Sequence, residues 1–112
     1  IVQKTVGLAE PLREALAPLA KRITAAFVFG SVAKRSDTAS SDIDVLVLSD
    51  SVDYADVFAA LQSAEMKLGR TVNPTVYTPA NWRKKRKDGN AFVTKVTAQP
   101  KIFILGSEDD LV

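Results

Sequence analysis

The 112-residue chain contains neither cysteine nor histidine. Without cysteine there are no disulfides and no thiolate metal ligands; without histidine there is no imidazole to act as general base, zinc ligand or pH sensor. Any metal or proton chemistry therefore falls to carboxylates. Aromatic residues are sparse, at 7% with a single tryptophan, and no apolar run approaches the roughly 20 residues needed to span a bilayer. No signal-peptide pattern opens the chain, so the expectation is a cytoplasmic protein with no membrane partner. The length allows one hydrophobic core and leaves no room for a second, substrate-binding domain. Because the first residue is Ile1 rather than Met, the chain is read as one domain over residues 1–112, a fragment of a longer or processed product.

What is present is balanced in amount and uneven in placement. Apolar residues make up 46% and charged residues 25%, the composition of an ordinary globular domain. The net charge of +2 arises in one place, since Arg83, Lys84, Lys85, Arg86 and Lys87 are consecutive and the ten cations elsewhere face thirteen acids. Five consecutive residues cover more than one helical turn, so they cannot all face one ligand. We read them as a solvated cluster at a helix end, anchored by Trp82. Direct contact with nucleic acid or polyphosphate is the less favoured reading.

Hydrophobic periodicity orders the remaining elements. Leu8, Leu12, Leu16, Leu19 and Ile23 recur at three- and four-residue steps, which predicts an amphipathic helix over 8–23. Pro11 is tolerable in its first turn, whereas Pro18 predicts a kink or a break into two parts. Residues 25–29 form an unbroken apolar run closed by Gly30, the pattern of a strand buried on both faces that enters a tight turn. Residues 42–48 read as a second central strand. Val57, Leu61, Ala64 and Leu68, joined by Phe58, form the apolar stripe of a helix with N-cap candidates in 50–53 and Gly69 as C-cap. Tyr54 and Phe58 are expected to pack in the core or at its rim. A third strand is predicted over 71–78, with Pro74 at an edge or bulge. Helices follow after Thr78-Pro79 and over 91–98, and a last strand over 101–105.

The chemistry concentrates at the first two strands. Gly30 has no side chain to keep a ligand off the backbone, and Ser31 is placed to cap a short helix whose outward amides suit a phosphate. Asp42 and Asp44 lie two apart on a strand and so project to the same side, roughly 6.6 Å apart at their backbones. Two carboxylates so placed repel unless a positive charge lies between them. Magnesium suits them, because it takes hard oxygen ligands from one or two carboxylates and completes its shell with water and substrate phosphates. In the intervening loop Lys34 and Arg35 can reach a phosphate or simply be solvated, and Asp37 reads as a turn former. The acidic tail at 108–110 makes a poor metal site.

Gly30-Ser31, ten intervening residues and then Asp42-x-Asp44, set in a strand–turn–strand frame, resemble the signature of the nucleotidyltransferase superfamily. That superfamily includes DNA polymerase beta, the aminoglycoside nucleotidyltransferases and the minimal, antitoxin-type nucleotidyltransferases. The resemblance implies an α/β fold, a small mixed sheet with helices packed mainly on one face (the palm-like core). It also implies that Gly30 and Ser31 hold a nucleoside triphosphate while Asp42 and Asp44 bind magnesium. Active members carry a third acidic residue on the next strand, as a base toward the acceptor and a metal ligand. This sequence offers Asn73, or Thr75 on the same face. An amide oxygen can ligate a metal but takes no proton at neutral pH.

Two functions follow as expectations. The first is magnesium-dependent transfer of a nucleoside monophosphate, with ATP as the favoured donor, to a hydroxyl of a protein or small molecule. The alternative is a catalytically weakened nucleotide-sensing or regulatory module, of the kind that occurs fused to DNA-binding regions. With no second domain to choose an acceptor, a partner, an oligomer such as a homodimer, or sequence outside these residues is expected to supply selectivity.

Overall fold

A computed structural model describes residues 3–30, 42–107 and 109, with side chains from residue 9. In chain order the elements are α1 (Gln3–Leu16), a 3-10 segment (Ala17–Arg22), β1 (Ala25–Phe29), β2 (Ile43–Leu48), α2 (Tyr54–Leu68), β3 (Val72–Tyr77), α3 (Pro79–Lys87), α4 (Ala91–Ala98) and β4 (Ile102–Leu105). The four strands make one mixed sheet in the order β3-β2-β1-β4. β1 pairs antiparallel with β2 and β4, whereas β2 and β3 run parallel, joined by α2 as the crossover. This is the α/β fold with a small mixed sheet that the sequence implies, but the helices cover both faces rather than mainly one, because alternate residues of the central strands are apolar on either side.

Alternation along the strands divides the core in two. One set, Ala26, Val28, Ile43, Val45, Val47 and Ile104, packs against Leu12, Leu16, Val57, Leu61 and Ala64 of the two long helices. The other, Ala25, Phe27, Phe29, Leu46 and Leu48, packs against Trp82, Val93 and Val96 of the short helices α3 and α4. Every residue of β1 is buried, as its unbroken apolar run predicts. Trp82 is wholly buried and meets the Phe27 ring edge-on at 6.3 Å, so the tryptophan does anchor the helix that carries the basic run.

The helices start and stop where side chains satisfy the backbone. Asp53 caps α2, accepting from the Asp56 amide while the Asp56 carboxylate accepts from the Asp53 amide, and Gly69 ends the helix at φ 65°. Thr78 caps α3 through the Asn81 amide, and Asn90 caps α4 through that of Val93. Pro18 opens the 3-10 segment, so the predicted two-part helix is what forms. The structure corrects two expectations here. The first helix begins at Gln3 rather than near Leu8, which puts Pro11 inside it and removes one backbone hydrogen bond. The burial of Leu12, Ala15 and Leu16 holds the helix together regardless. Phe58 is 44% exposed and stacks on Tyr54, itself exposed, at 5.9 Å, so neither joins the core. The stripe is narrower than the apolar composition suggests, because Val57, Leu61 and Ala64 already fill the contact with the sheet.

Two polar contacts tie the fold at points the sequence did not disclose. Ser49, the one polar residue buried among the described residues, donates its hydroxyl to the Arg22 carbonyl and accepts from the amides of Ser51 and Val52. At the sheet edge, the Val72 amide donates to Glu65 Oε2 at 2.7 Å, and Pro74 follows two residues later. Among the described residues no helix is long and apolar enough to cross a membrane.

The division of the core predicts where truncation hurts. Leu61→Ala is expected to lose about 2–5 kcal/mol, whereas Met66→Ala on the exposed side of the same helix should stay within about 0.5 kcal/mol. Urea unfolding followed by the emission of Trp82 measures both.

Candidate functional site

β2 lies at the centre of the sheet, and the site forms at its N-terminal end, where β1 also finishes. In the antiparallel register Phe29 faces Asp44, which brings Gly30 beside the same carboxylate. Gly30 adopts φ 81°, and a Cβ built on it would lie 2.6 Å from Asp44 Oδ2. Glycine is therefore required here twice, by the left-handed backbone and by the carboxylate that fills the space a side chain would need. In the parallel register Asp44 pairs with Asn73 of β3. The Asn73 side-chain amide donates to Asp42 Oδ2 at 3.1 Å. The amide thus bonds one carboxylate beside the other, and Asp44 and Asn73, register partners, lie on the face of the sheet that carries α3 and α4.

Burial and charge act together on this pair. Asp42 is exposed, while Asp44 is partly buried. Its carboxyl holds its proton more tightly than an ordinary aspartate, first because burial disfavours the ionised form, then because the Asp42 charge repels it; the Asn73 hydrogen bond opposes both. Glu14, by contrast, is held below the usual carboxylate range by its 2.8 Å ion pair with Lys67, an exposed contact between α1 and α2.

The residues expected to act together divide as follows. Asp42, Asp44, Gly30 and Asn73 meet at one place. Of the two alternatives for the third position, Asn73 reaches Asp42 and is the register partner of Asp44, whereas Thr75 sits two positions further along β3, opposite Leu46. Ser31, Lys34 and Arg35, and with them Asp37 and the short helix expected after Gly30, lie outside the described residues. No third Cys, His, Asp or Glu joins the aspartates among the described residues. The donor set fits a hard divalent cation: the carboxylates offer oxygen only, and the repulsion of Asp44 by Asp42 would be relieved by a positive charge between them. The basic run of α3 is elsewhere. Lys85 turns back over the Tyr77 ring at 5.8 Å, and Arg83, Arg86 and Lys87 line an open surface depression of about 300 Å³.

A mixed β3-β2-β1-β4 sheet between two layers of helices, with a glycine turn against paired aspartates, has the fold of a nucleotidyltransferase. The chain belongs to the polymerase beta nucleotidyltransferase family, whose model, described as "Polymerase beta, Nucleotidyltransferase", matches residues 12–82. No curated protein matches the sequence. Among solved structures, a toxin–antitoxin with AMP-PNP superposes with a TM-score of 0.61 at 16% identity, over 91% of this chain and 76% of that one. A mutant of the toxin–antitoxin MntA-HpeT, with two aspartates two positions apart changed to glutamate, gives 0.61 at 15% identity, over 87% and 72%. At such identities the likeness is one of fold.

Two outcomes test this geometry. Since the folded state binds the Asp44 proton more tightly than the unfolded chain, stability is greatest with Asp44 protonated, falls as pH rises through the raised folded value, and stays reduced above it. Asp44→Asn is therefore expected to raise the melting temperature of the metal-free protein at neutral pH, with the advantage vanishing below the ordinary value of 3.8. Gly30→Ala is expected to lose about 1–2 kcal/mol from the left-handed backbone alone, and more as Asp44 is pushed aside. Thermal melts at several pH values read both.

Proposed function

We propose that this domain transfers a nucleoside monophosphate from a nucleoside triphosphate to an acceptor hydroxyl. Family membership supports the reaction class. The observation that carries the assignment of residues is the meeting of Gly30, Asp42, Asp44 and Asn73 at the end of β2. ATP is the favoured donor, since one neighbour of like fold was solved with AMP-PNP. Both neighbours are toxin–antitoxin structures, so a protein is the acceptor we favour, with a partner or a second copy of the chain supplying selectivity.

In this reading Gly30 lets the polyphosphate approach the backbone, and Ser31 adds a hydroxyl donor at the same turn, with Lys34 and Arg35 as further phosphate contacts. Asp42 and Asp44 would hold magnesium, with the Asn73 amide oxygen as an added ligand. When bound, the ion would neutralise charge on the phosphates and on the departing pyrophosphate. The acceptor hydroxyl oxygen attacks the α-phosphorus and gives its proton to solvent water, the bond to the bridging oxygen breaks, and pyrophosphate leaves. Asn73 takes no proton from the acceptor, so this chain contributes positioning and charge stabilisation rather than a third carboxylate base.

The neutral amide at Asn73 also favours a second reading, a nucleotide-sensing module that binds without turnover. One pair of measurements separates the two. With α-labelled ATP, magnesium and a candidate acceptor protein, the enzyme reading expects label transfer that falls on the order of 100-fold or more in Asp42→Ala. Calorimetry showing magnesium-dependent triphosphate binding with no transfer would select the sensor. Absence of both binding and transfer would remove the two together.

A further inference from the structure

We propose that Phe92, on the first turn of α4, is the platform on which the base of the bound nucleotide stacks. The inference rests on the reading of the β2 end as a nucleoside triphosphate site and goes beyond it to the residue that grips the nucleoside half. Phe29 and Asp44 are register partners across β1 and β2, so their side chains rise next to each other from the face that carries α3 and α4. Phe92 meets the Phe29 ring edge-on, with centroids 5.8 Å apart, and reaches the Tyr77 ring at 6.4 Å. A single ring thus separates it from the carboxylate.

Exposure singles Phe92 out. Phe27 and Trp82 are wholly buried, Phe29 is nearly so, and Lys85 lies over the Tyr77 ring. Among the described residues four large apolar side chains are exposed; Tyr54, Phe58 and Met66 project from α2, in the layer on the other face, and Phe92, at 37%, is the one on the carboxylate face. Val93 and Val96 already bury α4 against the sheet, and the Asn90 side chain accepts from the Val93 amide at 3.1 Å, so the ring is presented from a fixed backbone. With the polyphosphate against Gly30 and the aspartates, the base hangs from the α-phosphorus by one ribose, and its flat faces need a partner that excludes water. An aromatic ring supplies one, at a strength equivalent to about 5- to 150-fold in affinity. A purine, with the larger ring system, gains most from it.

Calorimetry in the presence of magnesium separates the two halves of the ligand, since a non-hydrolysable ATP analogue carries base and phosphates and inorganic tripolyphosphate the phosphates alone. Phe92→Leu, which keeps an apolar side chain at the rim, is expected to weaken the analogue about 10-fold and to leave tripolyphosphate unchanged. Phe92→Tyr should bind both as the wild type does. Equal weakening of the two ligands in Phe92→Leu would mark a role in shaping the sheet end and overturn the proposal, as would an analogue affinity that Phe92→Leu leaves unchanged. Either result leaves the site assignment standing where Asp42→Ala weakens both ligands. No binding of either ligand by the wild type, with Asp42→Ala indistinguishable from it, would overturn the assignment and the proposal with it.

Discussion

The repulsion between Asp42 and Asp44 is the constraint around which the central strands are arranged. Two like charges on one side of a strand destabilise the fold, and the protein tolerates them by three means: exposure of Asp42, an amide from Asn73 that donates to Asp42, and a glycine that yields space to Asp44. Each lies on a different stretch of chain. β1, β2 and β3 must all be in register for the three to coincide, so the site reports on three of the four strands.

The two-layer core supplies the stiffness that this register needs. β2 is buried along its length apart from Asp44, and the long helices on one face and the aromatic cluster of Phe27, Phe29 and Trp82 on the other hold it in place. A strand so confined cannot slip by one residue without turning its apolar side chains to the wrong face and the aspartates into the core. The Asp44 carboxyl, which disfavours its own ionised state, is thus carried by the most strongly specified part of the molecule.

Much of this was legible beforehand, for identifiable reasons. The buried runs 25–29 and 43–48, the caps at Asp53 and Thr78, and the stop at Gly69 are local signals, set by periodicity and by the hydrogen-bonding needs of helix ends. The spacing of Asp42 and Asp44 likewise needs only strand geometry to place both on one side. What escaped was set by tertiary context. Whether Asn73 or Thr75 reaches the aspartates depends on the β2–β3 register, and no property of either residue alone discloses it. The closeness of Gly30 to Asp44 depends in the same way on the β1–β2 pairing. Phe58 has the composition of a core residue, yet its exposure follows from how far α2 is rotated against the sheet. The start of α1 was placed too late because Pro11 invites a boundary that the packing of Leu12 and Leu16 overrides.

The outer flank of β3 has a consequence for how this domain can meet other chains. In its ladder the carbonyls of Thr71 and Tyr77 turn inward to β2, which leaves residues 72, 74 and 76 with their backbone groups turned away from the sheet. Val72 gives its amide to Glu65, and Pro74 has none to give. A foreign strand approaching this border would find Val76 as the remaining outward amide, so extension of the sheet by a neighbouring polypeptide, and the runaway stacking that such extension invites, is discouraged on this side.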